Sequence, residues 1–242
     1  MEKLQFECEQ YKLYSPDSLK YITDNMHAVL LSKIEEYKKL FNIDDFKQLQ
    51  INYFDDLEKF RKFIYELRGE KDSLPKYAGG TYDRGMINAF IQSNIPNDSP
   101  QYNSKLYMAS HELFHILYMK YILQNDYSKR IVWYDEGMAQ FMSGEKDKLL
   151  NDETFKEFYQ KVRESTKRFP DLNEIKHGSS FCNEHYNGYN LSFLAIRYLS
   201  EILSENEFIC LMSDFEQIKN YGRTILNNMF DYYDKKLISK SL

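Results

Sequence analysis

The hydrophobic periodicity of the chain changes near Ser99, and that change bounds the fold more than any other feature. Before it, short alternating apolar runs are interleaved with helical stretches. After it, only helical spacings of three and four recur. Leu4, Phe6 and Cys8 alternate as a strand, Leu49, Ile51 and Tyr53 as a second, and Met86 to Ile91 reads as a third. Ser15-Pro16 opens a helix, with serine as cap and proline in the first turn. Its apolar stripe runs Leu19, Ile22, Met26, Val29, Leu30, Ile34, Tyr37 and Phe41. Asp55 and Glu58 resemble a capping box for a helix carrying Leu57, Phe60, Ile64 and Leu67. Gly79-Gly80 mark a turn or a close backbone approach. Ser99-Pro100 caps a helix expected to reach Leu123. Further helices are expected near 136–148, 152–169, 189–203, 205–219 and 223–237. The expected fold class is α+β, one two-lobed domain. A strand-and-helix lobe with a small sheet covers residues 1–104, and an α-helical lobe covers 105–242.

Composition excludes several functions. The chain has 242 residues, 32 Lys plus Arg and 37 Asp plus Glu, so the net charge is −5. A mildly acidic chain is not expected to bind nucleic acid, which calls for a basic surplus or stripe. No window approaches the ~18 consecutive apolar residues of a membrane span, so no membrane partner is expected. MEKLQFECEQYKLYSPD contains no apolar core of a secretory signal, and a cytoplasmic location is expected. Cys8, Cys182 and Cys210 are far apart and form no CxxC pair, so neither a disulfide framework nor a thiolate zinc site is indicated.

The chemistry lies in two short stretches. Residues 111–115 read His-Glu-Leu-Phe-His. Positions four apart share one face of a helix, so His111 and His115 can offer two imidazole nitrogens to one ion. Glu112 is rotated by about 100° from His111, beside the ion rather than on it. With 5 His and 20 Glu in the chain, chance placement gives such a motif in about 1% of cases, so its surroundings matter. Leu106, Ala109, Ser110, Leu113, Phe114 and Leu117 supply an apolar helical face that half-buries the motif. The alternative is two surface histidines on an ordinary amphipathic helix. The second stretch, Trp133-Tyr-Asp-Glu-Gly-Met-Ala-Gln-Phe141, begins after the polar segment Gln124 to Arg130. A catalytic zinc takes three protein ligands and leaves one position open, and Glu136 is the candidate third. The competing reading makes Glu136 an acidic first-turn residue of a new helix. Gly137 would allow close helix approach.

HELFH followed by WYDEGMAQF resembles the gluzincin zinc metallopeptidases, the thermolysin-like superfamily with HExxH and a downstream glutamate. The catalytic domain of the zinc aminopeptidases is especially similar. The resemblance spans about residues 48–203. It implies a zincin-like fold with one catalytic Zn2+ in the cleft between the two lobes. By the same resemblance His111, His115 and Glu136 are the metal ligands, and Glu112 is the general base that activates a zinc-bound water. Tyr189-Asn-Leu-Ser-Phe-Leu-Ala-Ile-Arg-Tyr-Leu199 is similar to a later helix of the family, whose early tyrosine stabilises the oxyanion. Tyr189 is that residue here, with Tyr186 and His185 as alternatives. The aminopeptidases carry a GxMEN-type strand whose glutamate holds the substrate's amino group. Here Ala78-Gly-Gly-Thr-Tyr-Asp-Arg-Gly-Met86 has no such glutamate.

The expected activity is zinc-dependent hydrolysis of peptide bonds in a peptide or protein substrate. The alternative is a zinc-containing binding or regulatory protein with this fold and no efficient turnover. A metal-free interaction module with a fortuitous HExxH is the third reading. Met86 to Ile91 is a candidate edge strand for an extended peptide, against a plain strand with no ligand. Asp135 and Gln140 are candidates to orient the imidazoles. His27 reads as a packing or surface residue and His177 as a solvated loop residue. Tyr232-Tyr233 with Lys235, Lys236 and Lys240 reads as a solvated helix end. Substrate specificity and oligomeric state are not encoded in any motif.

Overall fold

The computed structural model describes residues 3–69, 79–97, 99–146, 152–176 and 181–238. His177, Ala78, Asp147, Lys148 and Lys240 lie outside the described residues. The fold is α+β, with one mixed five-stranded sheet and nine α-helices among the described residues. The chain divides into two compact units, Met1–Leu117 and Tyr118–Leu242.

The first unit holds the sheet. Its strands are β1 (Lys3–Glu7), β2 (Tyr11–Ser15), β3 (Leu49–Phe54), β4 (Gly80–Asp83) and β5 (Met86–Phe90), in spatial order β1-β2-β3-β5-β4. The pairs β2–β3 and β3–β5 are parallel, and the outer pairs are antiparallel. Parallel neighbours need a long crossover. Helices α1 (Lys20–Phe41) and α2 (Leu57–Arg68) lie within the two connections. The stripe of α1 is buried as its spacing requires, at Ile22, Met26, Leu30, Ile34, Tyr37 and Phe41. The helix starts later than expected. Ser15 is the buried last residue of β2, and one 3-10 turn, Asp17–Leu19, precedes α1. The cap of α2 is Asp56 rather than Asp55. Its side chain accepts a bond from Lys59 N at 2.9 Å, while Asp55 accepts one from Ser18. His27 does pack: it stacks on Phe6 and bonds the Tyr11 hydroxyl.

Two differences bear on function. β5 is not an edge strand, because β3 and β4 flank it. The edge on that side is β4, a four-residue strand that alternation does not reveal. It is joined to β5 by a two-residue turn, Arg84-Gly85, with φ of 49° and 83°. Positive φ at both positions is what a tight hairpin turn of this twist demands, and Gly85 meets it without strain. The expected helix from Ser99 to Leu123 is also broken. Ser99 does cap α3 (Pro100–Leu106), accepting from Tyr102 N at 3.1 Å. Tyr107 then interrupts the helix before α4 (Met108–Leu117).

The second unit is helical. It contains α5 (Val132–Ser143), α6 (Asp152–Ser165), α7 (Gly188–Ile202), α8 (Glu205–Leu211) and α9 (Phe215–Ile238). Its entry is a π-helical segment, Tyr118–Ile122, in which Leu123 N reaches Tyr118 O at 3.0 Å. The C-terminal tyrosines are not a solvated end. Tyr233 is fully buried, with its ring against Phe155, Tyr159 and Tyr198. Glu201 gathers Arg197, Lys236, Tyr232 and Tyr233, and the Arg197 guanidinium lies 3.4 Å from the Phe155 ring centre. The charges suit this half-buried place because each is paired.

Burial pushes the Glu201 carboxyl up, but hydrogen bonds from Lys236 and Arg197 outweigh it and hold the group below the ordinary carboxylate range. A carboxyl depressed in the folded state adds stability above its unfolded pKa, and that stability is lost as pH falls through the folded value. Glu201→Gln is expected to cost about 2 kcal/mol near neutral pH. Urea titrations of the two proteins should converge as the solution is acidified below the normal glutamate range.

Candidate metal centre

The first unit supplies the histidine pair. Ala109, Ser110, Leu113, Phe114 and Leu117 form the buried face of α4, and His111, Glu112 and His115 lie half-buried on another. That orientation is set by packing. The Phe114 ring meets Tyr37 and Phe41 of α1 at 5.8 and 5.7 Å, and the Tyr37 hydroxyl donates to Ser110 O at 3.2 Å. With the apolar face fixed, the positions four apart turn their rings together. The Nε2 atoms of His111 and His115 are 3.0 Å apart, with ring planes at 76°. Two nitrogens about 2.0–2.1 Å from one tetrahedral ion would be about 3.3 Å apart. The convergence of these donors therefore fits a zinc-sized cation.

Glu112 faces the edge of the sheet. A Cβ placed on Gly80 would lie 3.2 Å from Glu112 Oε1 and 3.2 Å from Met108 Sδ. The glycine pair thus marks a close backbone approach of β4 to α4. Tyr53, fully buried on β3, has its phenol pushed well above the ordinary range by burial, then by the nearby Tyr11 and Glu112. Lys105 approaches the residue just before β4: a Cβ on Gly79 would meet its Nζ at 2.9 Å. Burial lowers the pKa of that lysine. Asp83, the acid of β4, is held by two 2.8 Å bonds from Arg68.

The second unit supplies the downstream glutamate. Helix α5 begins at Val132, so Glu136 lies beyond its first turn rather than opening it. Arg130 donates to Asp135 through Nε and to Glu136 Oε1 at 3.2 Å through its terminal nitrogen. Gly137 sets α5 against α7. A Cβ there would lie 2.6 Å from Ser192 O and 2.7 Å from Ile196 Cγ1. Gln140 ties the same helices together, donating to Tyr189 O at 3.0 Å and Glu136 O at 3.2 Å. Tyr189 is the second residue of α7, which Asn187 caps, and is 38% exposed with its ring 4.3 Å from Phe181. Tyr186 and His185 precede it in a loop whose backbone N–H groups bond Asn183 Oδ1. Arg130 sits in a stretch whose composition reads only as a polar loop, and nothing in its sequence marks it out. His111 and His115 of the first unit and Glu136 of the second are each partly buried.

The family model for peptidase M9, collagenase, matches residues 18–237. The chain belongs to this collagenase family. M9 collagenases are zinc peptidases, in keeping with an expected zinc ligand set. No curated protein matches the chain. Among solved structures, it is similar to an aminopeptidase N family protein from Idiomarina loihiensis. The identity is 13% and the TM-score 0.48, with 93% of this chain and 41% of that chain covered. The collagenase-family chain therefore spans about two fifths of that structure's length. No described helix is long and apolar enough to cross a membrane.

Gly137→Ala should force α5 and α7 apart, because the nearest atom is backbone and has no rotamer to yield. A loss of about 1–3 kcal/mol in thermal or urea unfolding is expected. Gly69→Ala separates the two causes: nothing lies within 4 Å of its Cβ position, but its φ of 76° costs alanine about 1 kcal/mol of backbone strain without any crowding.

Proposed function

We propose that the protein is a zinc-dependent peptidase in which His111, His115 and Glu136 hold one ion and Glu112 is the general base. The observation that carries this reading is the 3.0 Å convergence of two imidazole nitrogens on a helix whose glutamate reaches toward an edge strand. Membership of the collagenase family supports it. The donor set supports it as well: two imidazoles and one carboxylate suit a catalytic zinc with an open position, whereas structural sites are closed and rich in cysteine.

When bound, zinc supplies a Lewis acid that polarises a carbonyl and makes water more acidic at its open position. Glu112 takes the proton of the attacking water and passes it to the leaving amine as the C–N bond breaks. Tyr189 donates a hydrogen bond to the oxyanion that develops on the scissile carbonyl. The edge strand β4 takes the place expected of β5. An edge has one side outside its ladder, and an extended substrate adds there by main-chain hydrogen bonds. The close approach of Gly80 to Glu112 would bring such a peptide beside the general base.

The substrate is a peptide or protein. The family's name makes a gelatin-derived peptide the first to try, beside an unrelated peptide of equal length. Glu112→Gln should retain one zinc by elemental analysis and lose at least about 100-fold in turnover. Full activity in that variant would remove Glu112 as base. Glu136→Ala should lose most of its zinc on dialysis, and unchanged content would take Glu136 out of the ligand set.

A further inference from the structure

Arg130 has no role in the chemistry described above, yet it bonds the candidate third ligand directly. It closes the 3-10 turn Tyr127–Lys129, just before α5. Its side chain is only 19% exposed and bridges adjacent carboxylates. Nε donates to Asp135, whose side chain is 2% exposed, and the terminal nitrogen donates to Glu136 Oε1 at 3.2 Å. We propose that Arg130 is a positioning residue that fixes the rotamer of Glu136 by holding its Oε1. The proposal rests on the reading of Glu136 as a zinc ligand.

Three features of the arrangement argue for positioning. A glutamate has three rotatable side-chain bonds, and restricting them before binding removes an entropic cost from coordination. The guanidinium is a planar fork, so anchoring its Nε on the buried Asp135 sets the direction of the nitrogen that meets Glu136. Its positive charge also offsets the repulsion between the two neighbouring carboxylates it bridges. Asp135 then acts through Arg130, as the anchor of the fork. Two neighbouring acids on a helix would otherwise repel, and Glu136 would turn outward to water.

A competing role is distinguishable. If the guanidinium merely occupied the carboxylate in place of a cation, its removal would strengthen metal binding. If it orients the carboxylate, removal weakens binding.

The test uses the full chain and zinc alone, with the zinc dissociation constant read by competition against a chromophoric chelator at fixed pH. Circular dichroism checks the fold of each variant. Arg130→Ala is expected to bind zinc about 10- to 100-fold more weakly with an unchanged spectrum. Arg130→Lys should fall between it and the parent, because the charge returns without the fork. Asp135→Asn should weaken zinc in the same direction by a smaller factor. Parental or tighter zinc binding by a folded Arg130→Ala overturns the proposal. If that variant fails to fold around the uncompensated Asp135, the double variant R130A/D135N is compared with D135N, and equal zinc affinity of the two overturns it. Glu136→Ala separates the two failures. Parental zinc affinity there removes the ligand reading itself, whereas its loss beside parental affinity in Arg130→Ala overturns only the role of Arg130.

Discussion

The seat of α4 on α1 is the contact on which the histidine pair depends. Phe114 lies between Tyr37 and Phe41, and the Tyr37 hydroxyl holds Ser110 O. These contacts fix the rotation of one ten-residue helix about its axis. Once the apolar face is pinned, helical geometry directs His111 and His115 to one point. A helix free to roll by half a turn would carry the same motif without a site. The polar residues therefore owe their convergence to the apolar ones beneath them.

The second unit solves a related problem by different means. Close crossing of α5 and α7 requires a residue with no side chain, and Gly137 provides it against Ser192 O. Gln140 then joins the two helices through backbone carbonyls. Glu136 and Tyr189 are carried on this rigid pair, one on each helix. The Arg130–Asp135–Glu136 arrangement adds an electrostatic restraint at the start of α5. Away from it, Glu201 draws α7 and α9 together with an arginine, a lysine and two tyrosines. Both clusters thus pair their charges where side chains leave water, as desolvation requires.

Departures from local expectation have physical causes. β4 is four residues long and begins with glycine, so it carries too few side chains for alternation to register. Ser15-Pro16 has the composition of a helix start, yet pairing with β1 and β3 draws Tyr11–Ser15 into the sheet. Helix α5 starts at Val132 without a side-chain cap, so no capping residue announces it. The run Tyr232-Tyr233 looks solvated because tyrosine and lysine are common on surfaces. Its burial follows from aromatic partners on α6 and α7.

The sequence by itself determined the elements whose cause is local. It set the α+β division near Ser99, the buried stripe of α1, the cap at Ser99 and the common face of His111 and His115. Periodicity and capping act within a few residues, so they can be read without the rest of the chain. Only the tertiary structure decided which strand forms the edge, how closely Gly80 approaches Glu112 and which helix Gly137 must meet. The same holds for the hold of Arg130 on Asp135 and Glu136. These depend on strand order, on the path of a loop and on side chains far apart in sequence, and no local spacing encodes them.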